Sequence, residues 1–102
     1  MTVKELKAKW DAGEQPVVLD VREAGELARA TFPFPVLHIP MNELPARVGE
    51  LPRVGTIVCA CHSGGRSASV TRFLLKQGFD AVNLDGGILA WVRQVGSGTP
   101  QY

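Results

Sequence analysis

The sequence predicts an α/β fold in which a mainly parallel sheet carries helices on both faces. Two observations predict it. Apolar, β-branched runs alternate with amphipathic segments along the chain, and the runs are apolar throughout, as in strands covered on both sides. Gly and Pro, 11 and 7 of 102 residues, supply the tight turns such an alternation needs.

Thr2 followed by Glu5 matches a capping box, and Val3, Leu6 and Trp10 recur at helical spacing, so the first element reads as an amphipathic helix that Gly13 can end. Pro16 leads into the buried strand Val17 to Val21, with Asp20 near its C-terminal end. Glu23 to Arg29 can form a short helix, which Gly25 weakens by about 1 kcal/mol relative to Ala. Pro33, Pro35 and Pro40 then forbid helix and leave Val36 to Ile39 as a short edge strand. Asn42 can cap a helix running through Glu50, with Pro45 tolerated in its first turn. Thr56 to Ala60 is the next buried strand, and Ser67 to Gln77 a helix with Val70, Phe73 and Leu74 on its inner face, closed by Gly78 and an apolar contact from Phe79. Ala81 to Leu84 is a further short strand and Ile88 to Val95 a last helix; the tail from Gly96 is expected to be loose.

At 102 residues the expected organisation is one domain spanning 1–102. A net charge of +1 provides no global field for nucleic acid or an acidic membrane, so neither is expected as a partner and a charged ligand must be caught locally. The uncharged stretch Phe32 to Asn42 is broken by three prolines and is too short to span a bilayer. Cys59 and Cys61 lie in one strand-like segment, where their Cα atoms would stand near the ~6.8 Å upper limit for a disulfide. A reduced, cytoplasmic protein is expected, with no targeting signal at Met1 to Trp10.

Open α/β sheets bind ligands beyond the carboxyl ends of their strands, which directs attention to Asp20, Cys61 and Asp85-Gly86-Gly87. Between a strand and a helix lies Cys61-His62-Ser63-Gly64-Gly65-Arg66-Ser67. Its glycines permit backbone angles that turn successive N–H groups inward as an anion nest around the Cys61 sulfur. The positive end of the following helix and the Arg66 guanidinium add to it, and all three favour the nucleophilic thiolate. Cys61 is therefore expected to have a lowered pKa. Cys59, inside the strand, reads as a core residue, with a resolving thiol as its functional alternative.

Cys61 to Ser67, Asp20-Val21-Arg22-Glu23 and Leu84-Asp85-Gly86-Gly87-Ile88-Leu89-Ala90-Trp91 closely resemble the active loop and two flanking motifs of single-domain rhodaneses, in family order and at family spacing over nearly the whole chain. The resemblance implies a three-layer α/β/α sandwich around a parallel four- to five-stranded sheet. It also implies a thiosulfate sulfurtransferase: Cys61 attacks a sulfane donor, becomes a persulfide and is discharged by cyanide or a thiol. His62, Ser63, Gly64, Gly65, Arg66 and Ser67 would then form the substrate-binding loop, with Arg66 and His62 drawing a small anionic donor. A protein persulfide donor or protein thiol acceptor is compatible with the same loop.

Two other readings fit the same residues in part. A cysteine phosphatase or arsenate reductase shares the fold and also closes its loop with arginine, but its loop is one residue longer and its cradle wider. A sulfur carrier or interaction module fed by a partner protein would have an identical sequence. Asp20 and Arg22 are expected either to support the loop or to form an ordinary ion pair. Gly86 and Gly87 read as a tight strand-to-helix turn and Trp91 as a core filler. Cys59, Cys61 and His62 are too crowded for a tetrahedral metal set, so no metal and no organic cofactor is expected. His38 reads as a half-buried residue at a strand end.

Two departures from the family pattern carry expectations of their own. The chain begins almost at the cap of the first helix, so the sheet is expected to lack a first edge strand. Thr31-Phe32-Pro33-Phe34-Pro35-Val36 replaces a polar turn, and Phe32 and Phe34, if exposed, would make an apolar docking patch.

Overall fold

In the computed structural model, which describes residues 1–96, the chain alternates helix and strand as the periodicity requires. The tail from residue 97 onward lies outside the described residues, and the expectation for it goes with it. Four helices, α1 (Val3–Asp11), α2 (Leu44–Arg47), α3 (Gly65–Lys76) and α4 (Gly87–Gln94), accompany four strands, β1 (Val17–Asp20), β2 (Leu37–His38), β3 (Thr56–Ala60) and β4 (Asp80–Asn83). The strands form one parallel sheet in the order β2-β1-β3-β4.

Side-chain alternation along these strands builds two cores. Leu19, Ile57, Cys59 and Ala81 face Leu44, Val70 and Leu74 of α2 and α3. Val18, Val58 and Ala60 face Val3, Leu6, Ile88 and Trp91 of α1 and α4. The result is the three-layer sandwich, with both sheet faces covered by apolar side chains, which is why the strands read as continuous apolar runs.

The strand order also locates the functional end. From β1 the chain crosses to β2 on one side, then returns to place β3 on the other, so the connections diverge at the carboxyl ends of β1 and β3. Such a topological switch point opens a crevice in parallel sheets. Asp20 pairs with Ala60 across it, and the Val21 N–H donates to the Ala60 carbonyl at 2.9 Å. Cys61 follows directly.

Several elements match their sequence signals closely. Thr2 and Glu5 exchange both capping-box hydrogen bonds, at 3.1 and 2.8 Å. Gly78, at φ +88°, ends α3, and the Phe79 N–H returns to the Leu74 carbonyl at 3.0 Å while its ring lies buried beneath the Arg53 guanidinium. The edge strand β2 is present but only two residues long. No strand precedes α1 among the described residues; Met1 alone flanks β4, its amino group donating to the Asn83 carbonyl at 2.9 Å and its carbonyl accepting from the Asp85 N–H at 2.8 Å.

Three expectations are corrected. Asn42 does not cap a helix through Glu50: the segment is a 3-10 turn at Met41–Glu43, the single α turn α2, and a second 3-10 turn at Val48–Glu50. Pro45 falls in the first turn of α2, where its missing N–H costs no intrahelical hydrogen bond. The helix expected from Glu23 is a 3-10 helix, Ala24–Ala28, capped by reciprocal bonds between Glu23 and Glu26. The third concerns Phe32 and Phe34, which are 6% and 7% exposed and form no surface patch. Phe34 sits 4.6 Å from Trp10 and 5.4 Å from both Phe32 and Trp91 between ring centres. These rings form part of the second core. Phe34→Ala should therefore lower stability by about 3 kcal/mol, measured as a shift in urea midpoint; an unchanged midpoint would contradict the packing.

A candidate active site at the Cys61 loop

Cys61 is 1% exposed and leaves β3 pointing toward α3. Gly64 adopts φ +104°, a left-handed conformation that reverses the backbone and makes Gly64 the N-cap of α3. That reversal starts the helix at Gly65, two residues before the expected Ser67. The sulfur consequently accepts the Gly64 N–H at 3.1 Å, the Ser67 N–H at 3.4 Å and lies 3.3 Å from the Ser67 hydroxyl. Burial, the largest single influence, pushes the Cys61 pKa up; hydrogen bonds from Ser67, Gly64 and Ser63 together outweigh it and leave the thiol below its ordinary value. Cys59 goes the other way, raised by burial against one hydrogen bond from Thr71. The two sulfurs are not joined in a disulfide.

A second set of bonds fixes the loop from behind. The N–H groups of Ile88 and Leu89 donate to the Cys61 and His62 carbonyls at 2.9 and 3.0 Å, clamping the loop to the first turn of α4. Gly87, at φ +59°, makes this approach possible, since a Cβ there would sit 2.4 Å from the Cys61 carbonyl oxygen and 2.6 Å from that of His62. The Gly86-Gly87 turn therefore does more than join strand to helix. His62 is half-buried, with its Nε2 directed inward.

Asn83, at the end of β4, was not singled out by the sequence. Its Oδ1 accepts the Ser67 hydroxyl at 2.6 Å and its Nδ2 donates to the Gly64 carbonyl at 3.2 Å. It thereby holds two of the groups that contact the sulfur.

Arg66 occupies the first turn of α3, and its guanidinium meets Glu26 end-on, Nη1 to Oε2 and Nη2 to Oε1, each at 2.8 Å. Glu26 is the second residue the sequence reading missed; its only local signal is the pairing with Glu23 in the 3-10 helix. Hydrogen bonds from Arg66 lower its carboxyl to about 2, despite partial burial.

Asp20 and Arg22 are brought together as a fully buried pair, 1% and 0% exposed. The Arg22 Nε lies 3.0 and 3.1 Å from the two Asp20 oxygens and its Nη2 lies 2.7 Å from Oδ2. The guanidinium also reaches the carbonyls of Ala30 and Glu26, at 3.0 and 3.4 Å. It therefore gathers the segment that carries Glu26, two steps removed from the sulfur. His38 is half-buried and donates through Nε2 to the Arg22 carbonyl at 2.7 Å.

A buried thiol with a lowered pKa, faced by N–H donors at a helix start, can attack an electrophile and hold negative charge on whatever atom it takes up. Among the described residues no group of three or more His, Cys, Asp or Glu side chains is placed to hold a metal ion, and no helix is long and apolar enough to cross a membrane.

Residues 2–94 match the family described as Rhodanese-like domain. YtwF of Bacillus subtilis is 40% identical over 96 residues, covering 89% of this chain and 92% of that protein. A protein of Allochromatium vinosum named Sulfurtransferase is 38% identical over 81 residues, covering 78% of this chain and 75% of that one. Among solved structures, a rhodanese-related protein of Thermoplasma volcanium superposes with a TM-score of 0.88 over 98% of this chain and 96% of that one, at 28% identity.

Proposed function

The chain belongs to the rhodanese-like domain family, and we propose that it is a sulfurtransferase that moves a sulfane sulfur through a persulfide on Cys61. The observation that carries this reading is the Cys61 sulfur itself, facing the Gly64 and Ser67 N–H groups at 3.1 and 3.4 Å.

With thiosulfate as donor, the Cys61 thiolate attacks the outer sulfur, the sulfur–sulfur bond of thiosulfate breaks, and sulfite leaves with the electron pair. The persulfide anion that remains has its charge at the end of the cradle, where N–H groups from Ser63 to Ser67 and the α3 dipole oppose it. Cyanide or a thiolate then attacks the outer persulfide sulfur, and the Cys61 thiolate returns as leaving group. A low thiol pKa serves both steps, raising the attacking fraction first and improving the leaving group second. Kinetics should be ping-pong.

The test is the intact mass of the reduced protein after incubation with thiosulfate, followed by peptide mapping and a cyanide chase. One added sulfur on Cys61, lost in the chase, is expected. No adduct on folded protein with a free Cys61 would overturn thiosulfate as donor and favour a carrier loaded by a protein persulfide.

The lowered Cys61 pKa has its own readout. The rate of alkylation of native protein by iodoacetamide should rise with pH through a midpoint below the ~8.5 of a free thiol. A midpoint above that value would mean that burial, not the cradle, dominates the sulfur.

A further inference from the structure

We propose that Glu26 sets the charge of the sulfur donor that this loop accepts, favouring donors with one negative charge or none over dianions such as thiosulfate. The inference rests on the sulfurtransferase reading and names the substrate class of the same site.

Arg66 is the loop cation expected to draw an anionic donor, yet both terminal nitrogens are engaged by the Glu26 carboxylate at 2.8 Å. The carboxylate is itself held, because Oε2 also accepts the Glu23 N–H at 2.8 Å. Arg22, the nearest further cation along this chain of bonds, is spent on Asp20 at 2.7 Å. The formal charges of Asp20, Arg22, Glu26 and Arg66 thus cancel, and the Cys61 thiolate leaves the reacting form of the site negative. A dianion meets repulsion there, offset only by the partial charges of the cradle N–H groups. A monoanion meets about half of it. Glu26 therefore acts as a positioning residue through Arg66, and its effect should scale with donor charge.

Thiosulfate and the methanethiosulfonate anion test this directly. Each loses its outer sulfur to the Cys61 thiolate by the same displacement, one releasing sulfite and the other methanesulfinate, and each leaves the same persulfide. The donors differ by one charge. Glu26→Gln should raise kcat/KM for thiosulfate by about tenfold and for methanethiosulfonate by about threefold, because the effect of removing one charge is squared for a dianion. Glu26→Asp, which keeps the charge, should leave the ratio of the two donors at its wild-type value. In the wild type, raising ionic strength should accelerate the reaction with thiosulfate more than that with methanethiosulfonate, since screening relieves repulsion.

An unchanged donor ratio in Glu26→Gln, or an equal change in Glu26→Asp, would overturn the proposal by making the role one of shape alone. So would a wild-type thiosulfate rate that falls with salt, which needs no variant to measure. A wild type that forms a persulfide with neither donor overturns the sulfurtransferase reading along with this one. A wild type loaded by both, with the ratio insensitive to Glu26, overturns only this one.

Discussion

Cys61→Ser is expected to reduce sulfur transfer by about 10⁴-fold or more, to the background of the assay, while leaving the protein folded. A serine hydroxyl at neutral pH is neither ionised nor able to hold a sulfane sulfur that a second nucleophile can remove. The cradle would remain, since Gly64 and Ser67 donate as readily to oxygen, and the small loss of volume at a residue 1% exposed should alter stability by no more than about 1 kcal/mol. Cys59→Ala is the matched control. Cys59 is fully buried in the core facing α3, so its truncation should cost about 1–2 kcal/mol while retaining most activity. Steady-state sulfur transfer and a urea titration on both variants distinguish the roles. Activity lost with Cys59→Ala and kept with Cys61→Ser would move the nucleophile to the other thiol, against the opposite shifts of the two, Cys61 lowered by its hydrogen bonds and Cys59 raised by burial.

What could be read from the sequence follows the range of the interactions involved. The cap of α1, the strand β3 and the closing turn of α3 depend on residues a few positions apart, and each stands where its pattern put it. The cysteine loop is equally local, because its geometry comes from consecutive backbone angles around Gly64. Contacts closed by the tertiary fold were not legible. Glu26 and Arg66 are 40 positions apart, and Ser67 and Asn83 are 16 apart. Nothing in either local segment marks its partner. The second role of Gly87 was hidden for the same reason: the sequence announces a turn, but not that two loop carbonyls lie where a Cβ would be. Phe32 and Phe34 show the reverse failure. Set among prolines they looked displaced from any core, and only the convergence of Trp10 and Trp91 from helices at opposite ends of the chain provides one.

Arg22→Met should destabilise the fold by about 3–5 kcal/mol, a large part of the ~5–15 kcal/mol available to a domain of this size. At ~4–8 °C per kcal/mol the melting temperature would fall by upwards of ~12 °C. The reason lies in what is left behind: Asp20, 1% exposed, would keep a carboxylate with its guanidinium removed, and the Ala30 carbonyl would lose its donor. Asp20→Asn with Arg22→Met removes the stranded charge, so the double variant should recover part of the loss, as buried ion pairs replaced together usually do. A calorimetric melt of wild type, single and double variants gives the comparison. If Arg22→Met alone melted within about 1 °C of wild type, the buried pair would be dispensable for folding. The activity of the double variant then separates stability from placement. Arg22 is the side chain that ties the backbone of the Glu26 segment to the end of β1, and Glu26 in turn holds the Arg66 guanidinium. A double variant that is folded yet shows altered donor preference would mean that the buried pair positions the loop charge, whereas one with unaltered preference would confine its role to the fold.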